Sequence, residues 1–148
     1  MGHELCTAID IEAEPETVWR HLTDLTGYAE WNPFITRASG DAEPGSRLEL
    51  RMEPPGGRAV TVRPRVTKVF PGTALEWVGH LGVPGIFDAR HRFDLFPTDA
   101  GTHLVQHETF TGVLVRPLRR SLDTRTRAGF EAMNDALRRR LTGKQQVS

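Results

Sequence analysis

Residues 87–111 read FDARHRFDLFPTDAGTHLVQHETFT. Two runs of alternating residues meet there at a turn. In the first, Phe87, Ala89, His91, Phe93 and Leu95 fall on one side, opposite Asp88, Arg90, Arg92 and Asp94. Thr98-Asp99-Ala100-Gly101 closes the turn. In the second, Thr102, Leu104, Gln106, Glu108 and Phe110 fall on one side, opposite His103, Val105 and His107. Alternation over this length, broken by a Gly-containing turn, predicts an antiparallel hairpin with one face toward a core. An apolar sheet face must be covered by another element.

The cover lies C-terminal to the hairpin. Projected at 100° per residue, Leu114, Leu118, Leu122, Gly129, Met133, Ala136 and Leu137 share one arc, with Phe130 and Leu141 at its edge. With Pro117 near its start and Gly143 near its stop, this predicts one amphipathic helix of about seven turns. Gly129 inside the buried arc costs roughly 1 kcal/mol of helix propensity, for which a close approach to the sheet compensates. Arg125 falls inside the same arc.

Upstream, Leu5, Ile9 and Ile11 alternate as a first strand. Pro15 suits the first turn of a short helix, about Pro15 to Leu22, striped by Val18 and Leu22. Leu25 to Glu30 forms a second short helix interrupted by Gly27. Leu48, Leu50 and Met52 predict a half-buried strand that ends at the turn Pro54-Pro55-Gly56-Gly57. Val60 and Val62 resume the period in a stretch that runs to Phe70. After Pro71-Gly72, Thr73 to Leu81 places Leu75, Trp77 and Leu81 on one face. Strand, two short helices, further strands and a long helix is an α+β order: an antiparallel sheet with helices on one face.

The 148 residues fit a single domain spanning 1–148, with its core at about 5–141. A hydrophobic fraction of 38% and a charged fraction of 26% are those of a globular chain. No apolar run approaches the roughly 20 residues of a membrane span. Residues 1–8 lack the pattern of a secretory signal, so a cytoplasmic location is the expectation. A single cysteine, Cys6, excludes a disulfide framework and a multi-thiolate zinc site. It reads as a small buried residue or an inert surface thiol. The balance of 19 basic and 19 acidic residues is uneven: residues 113–148 carry +6 and residues 1–112 carry −6. The basic side chains, Lys144 among them, are spread around the helix without interleaved aromatic residues. They read as a solvated face, and nucleic acid is not an expected partner.

Several segments resemble one known family. They are Val18-Trp19, Tyr28-Ala29-Glu30-Trp31-Asn32-Pro33-Phe34, Leu75-Glu76-Trp77 after a Pro-Gly turn, and His91-Arg92-Phe93-Asp94-Leu95. Gly101-Thr102 and Glu108-Thr109-Phe110-Thr111-Gly112 complete the set. In this order and spacing the chain resembles the SRPBCC superfamily (START-like, or Bet v 1-like), and within it the polyketide cyclase/dehydrase-like branch. The resemblance implies a helix-grip fold, in which a curved seven-stranded antiparallel sheet wraps around the long C-terminal helix. It also implies a deep apolar cavity between the two. Superfamily roles include binding or transfer of lipids, sterols and hormones, polyketide cyclisation or aromatisation, and co-chaperone work. A fold alone does not choose among these.

The residues themselves narrow the chemistry. Leu75, Trp77, Phe93, Leu95, Leu104 and Phe110 from the sheet, with Gly129 and Met133 from the helix and Trp31 before it, form a candidate ligand-binding set. It suits a small hydrophobic or aromatic molecule, which the resemblance implies to be lipid-like or polyketide-like. The same residues equally suit a filled core. Gln106 and Arg125 are candidate polar contacts. His91 and Glu108 are candidate catalytic groups, since a histidine beside a carboxylate serves as general acid or base. Arg125 can pair with Glu108, meet an anionic ligand group, or snorkel out to solvent.

His103 and His107 have metal spacing on a helix, but on a strand they stand about 13 Å apart, and no metal site is expected. No Gly-rich nucleotide loop and no nucleophile elbow occur, so no cofactor is expected. The leading expectation is a small-molecule binder. A polyketide cyclase-like or aromatase-like enzyme using His91 and Glu108 is the alternative, and a co-chaperone-like interaction module with a filled core is the third. The oligomeric state stays open, a homodimer included.

Overall fold

The computed structural model describes residues 2–147, with side chains through residue 142. The side chain of Lys144, counted above in the basic segment, lies outside the described residues. Of eight strands, one precedes two short helical segments and seven run consecutively before the C-terminal helical stretch. β1 (His3–Ile11) leads to α1 (Pro15–Thr23) and a 3₁₀ segment (Leu25–Glu30). β2 (Ile35–Ser39), β3 (Glu49–Met52), β4 (Val60–Val62), β5 (Arg65–Phe70), β6 (Ala74–His80), β7 (Asp88–Thr98) and β8 (Gly101–Thr111) follow. The chain ends in α2 (Val115–Ser121), a π segment (Leu122–Thr126) and α3 (Arg127–Val147).

All strand pairs are antiparallel, in the orders β1-β8-β7-β6-β5 and β2-β3-β4. A bridge between Arg47 and Arg65 and backbone bonds such as Leu48 N–H to Pro64 O (2.8 Å) join the two sheets. The sequence predicts one strand from Val60 to Phe70. The structure breaks it at Arg63-Pro64, since proline has no N–H to donate to a ladder. Counting β4 and β5 as one broken strand recovers seven, and the fold is the helix-grip arrangement. β2 has no clean alternation in sequence because a register shift falls between Ile35 and Arg37. That bulge leaves Ile35 and Ala38, three apart, both buried.

The hairpin and the helix form the core as expected. His91, Phe93, Leu95, Leu104, Gln106, Glu108 and Phe110 are buried, as are Phe130, Met133, Leu137 and Leu141. Leu81 lies beyond the end of β6 and is partly exposed, not on the buried strand face.

Three expectations about the helix are corrected. Leu114 and Leu118, assigned to the buried arc, are 41% and 39% exposed, and Val115 is buried instead. Arg125, assigned to the same arc, is exposed. The π segment explains both. Its i→i+5 bonding takes up an extra residue, so a constant 100° projection loses phase across it. Finally, α3 continues through Gly143 to Val147. A helical glycine costs about 1 kcal/mol but does not by itself end the helix.

Candidate functional site

The sheet register arranges the inward side chains in rows. One row runs Val66–Trp77–His91–Glu108–Leu5 across β5, β6, β7, β8 and β1. Toward one end lie the rows Leu75–Phe93–Gln106–Thr7 and Leu95–Leu104–Ile9. Toward the other end the next row is Gly79–Ala89–Phe110–His3. Two of its four positions, side by side on β6 and β7, carry little or no side chain, so the sheet leaves space beneath the helix there. A cavity of about 170 Å³ opens at that point.

Its wall comes from several elements. Trp77, Gly79, Phe87, Ala89, Glu108 and Phe110 come from the β6–β8 region. Met52, Pro54, Val60, Val62 and Pro64 close the side formed by β3 and β4. Leu122 and Thr126 reach it from the π segment, and Phe34 from the chain before β2. An Asx turn places Phe34: Asn32 Oδ1 accepts the backbone N–H of Phe34 (2.9 Å) and of Ile35 (2.8 Å). Its ring then lies on α3 at Gly129, where a Cβ would stand 2.4 Å from Phe34 Cδ1. The close approach at Gly129, expected to the sheet, is made instead to Phe34, in the chain before β2.

The exposed part of the wall, and so the cavity mouth, is formed by Val60, His80 and Leu81, the last two at the start of the loop that runs to Phe87. Val113 N–H to Gly85 O (3.1 Å) and Leu114 N–H to Ile86 O (3.0 Å) tie that loop to the start of the helix. Gly112 makes the crossing possible. Its φ is +117°, and a Cβ there would stand 2.6 Å from Ile86 O. Asp88 holds the loop from the other side, with His80 Nδ1 at 2.6 Å and the Gly85 N–H at 3.0 Å. These hydrogen bonds, that from His80 foremost, keep the Asp88 carboxyl below the ordinary carboxylate range.

His91 and Glu108 meet as the spacing predicted. His91 is fully buried, with its Nδ1 3.4 Å from Glu108 Oε1. Trp77 stacks on the imidazole at 5.1 Å, and Phe93 and Phe130 flank it at 4.7 and 5.1 Å. Neither ring nitrogen makes a hydrogen bond. Glu108 is 5% exposed and forms part of the cavity wall, whereas His91 stands behind it. A bound molecule would meet the carboxyl directly and the imidazole only through it.

The other sequence candidates divide by place. Trp77 and Phe110 line the cavity. Leu75, Phe93, Leu95, Leu104 and Met133 are buried in the filled core. Gln106 is tied to the helix instead: its Nε2 donates to Asn134 Oδ1 (2.8 Å), and Asn134 Nδ2 donates to Thr7 Oγ1 (3.0 Å). Trp31 is half-buried beside Tyr28 (5.3 Å between rings), in a depression with Thr17 and Arg140. Arg125 neither lines the cavity nor bonds Glu108. It lies against the Gly56–Gly57 turn, where a Cβ on Gly57 would stand 3.6 Å from its Cδ.

Sequence reasoning missed Phe34, Met52, Val60, Val62, Leu122 and Thr126 as wall residues, and Asn134 as the partner of Gln106. Asn134 was findable as the polar residue that borders the 129–141 apolar face, next to Leu141 in projection. His103 and His107 take separate carboxylates, Asp10 at 2.8 Å and Asp94 at 3.3 Å. Among the described residues no group of three His, Cys, Asp or Glu side chains could hold a metal ion. None of the described helices is long and apolar enough to cross a membrane. Cys6 is exposed.

A family model described as polyketide cyclase / dehydrase and lipid transport matches residues 3–142. No curated protein matches the chain. Among solved structures, a Mesorhizobium loti protein is 24% identical over 95% of this chain and 97% of that one, with a TM-score of 0.75. The Zhui aromatase/cyclase from a Streptomyces strain is 19% identical over 95% and 96%, with a TM-score of 0.76. The di-domain aromatase/cyclase StfQ of the steffimycin biosynthetic pathway is 15% identical over 95% of this chain and 52% of that one, at 0.69. At these identities the structural likeness speaks for the fold.

Proposed function

The chain belongs to the polyketide cyclase / dehydrase and lipid transport family, and from that premise we propose that it binds a small, mainly apolar molecule in the cavity between sheet and helix. The observation that carries this reading is the Gly79–Ala89–Phe110 row. It leaves a volume of about 170 Å³ walled by Trp77, Phe87, Phe110 and Leu122. That is close to the roughly 150 Å³ of an engineered apolar cavity that takes up benzene. The wall therefore suits one aromatic ring, or the end of a longer chain that enters by the mouth. A filled core, the mark of a pure interaction module, fits this end of the molecule poorly.

The test is native mass spectrometry of freshly purified protein, then organic extraction of whatever co-purifies. A noncovalent adduct is expected on the wild type and not on Ala89→Phe, which fills the cavity. An adduct of equal occupancy on both proteins would overturn the reading.

A second reading, polyketide cyclase-type catalysis, is favoured by the buried His91–Glu108 contact. As base, Glu108 would take a proton from the acidic carbon between two carbonyls. The resulting enolate would attack a carbonyl carbon further along the same chain and close a ring. Protonated Glu108 would return its proton to the alkoxide; the pair would then take the remaining proton from the attacking carbon and hand it to the departing hydroxyl, which leaves as water as the double bond forms. His91→Ala and Glu108→Ala would then abolish turnover and leave binding measurable. Equal loss of both properties, or no loss of either, would contradict catalysis.

A further inference from the structure

The polarity of the wall says more than its size. Glu108 is nine-tenths buried, and among the described residues no hydrogen bond reaches either of its carboxylate oxygens. His91 Nδ1 stands 3.4 Å from Glu108 Oε1 without making a hydrogen bond to it. No lysine or arginine lines the cavity among the described residues, and Arg125, the cation that the helix pattern had aimed there, lies outside on the Gly56–Gly57 turn. His80 at the mouth is engaged by Asp88 at 2.6 Å. The remaining wall offers aromatic faces, from Trp77 and Phe110 among others.

Resting on the cavity reading above, we infer that the ligand presents a hydrogen-bond donor, a hydroxyl or an ammonium, to Glu108, and that the site rejects molecules carrying a carboxylate. The Glu108 carboxyl faces the cavity with no protein donor upon it, so a ligand that supplies one gains a hydrogen bond that an apolar ligand lacks, while an apolar ligand displaces solvent from the carboxyl without replacing it. An ammonium is further favoured by the negative faces of the aromatic rings. A carboxylate would bring a second negative charge beside Glu108, in a wall with no cation to compensate it.

Four one-ring probes test this at neutral pH by quenching of tryptophan fluorescence, since Trp77 lines the cavity: benzylamine, phenol, toluene and benzoate. Wild-type protein is expected to bind benzylamine and phenol about 10-fold more tightly than toluene, and benzoate at least as much more weakly. Glu108→Gln is expected to remove the benzylamine advantage over toluene, with the fold of the variant checked by urea denaturation. Should that variant fail to fold, the wild-type order still decides. Benzoate binding as tightly as benzylamine, or a benzylamine advantage that survives Glu108→Gln, would overturn the inference. Toluene binding with no preference among the probes would overturn it while leaving the cavity reading intact. Binding of none of the four would remove both.

Discussion

The two ends of the helix–sheet interface are built from the same kinds of residue and do opposite things. At one end, rows of Leu75, Phe93, Leu95 and Leu104 meet Met133 and Leu137 of α3 and fill the space between the layers. At the other end, Gly79 and Ala89 face the π segment, with Val60 and Val62 across from them, and about 170 Å³ stays open. Both ends are apolar, and both sit under helix. The difference is side-chain volume along a strand row, together with the phase of the helix above it. Burial alone therefore does not distinguish core from binding site.

Truncations should feel the difference most. Phe93→Ala at the filled end should cost about 3–5 kcal/mol in urea denaturation, the range for emptying a tightly filled aromatic site. Leu122→Ala should fall at the lower limit for its type, about 2 kcal/mol, because its side chain already borders open space. Equal costs would erase the contrast. Next in size is Asn134→Ala, which strips partners from Gln106 and Thr7 at the filled end. About 1–3 kcal/mol should be lost with probe affinity unchanged. A fall in affinity would place Gln106 in the binding site after all.

Smaller stability effects separate the ends by function. Gly129→Ala forces a Cβ onto the Phe34 ring, a strain of about 1–3 kcal/mol, partly offset by the roughly 1 kcal/mol of helix propensity that alanine regains. Because Phe34 also lines the cavity, probe affinity should shift with it. Ala89→Phe should change stability by no more than about 1 kcal/mol, since it fills existing space, yet abolish toluene binding.

The smallest effect is at the mouth. Asp88 has its carboxyl held below the ordinary range by the His80 hydrogen bond. Its contribution is complete above the unfolded-state pKa and is lost as pH falls through the lower folded-state value. Loop protection in hydrogen exchange should thus drop only in acid. Asp88→Asn should show that lower protection at neutral pH already.

The filled end was largely legible in the sequence. A period of two over Phe87–Thr111 and a helical period over residues 129–141 both survive folding because those stretches are regular. The pairing of His91 with Glu108 follows from that register. The open end was not legible. Nothing in the composition of Leu122–Thr126 marks π bonding, and projecting through it turned Arg125 inward and buried Leu114 and Leu118. Met52 was visible as part of a strand, but its place on the cavity wall with Trp77 and Gly79 depends on the break at Pro64 and on the bulge in β2. Glycine and alanine at positions 79 and 89 fit the strand pattern. Only the register shows that they fall side by side.

The most direct test of the open end is a crystal soaked with bromobenzene. The account predicts an anomalous bromine peak inside the volume bounded by Trp77, Phe87, Phe110 and Leu122. A closed volume, with those side chains in mutual contact and no bromine there, would contradict it.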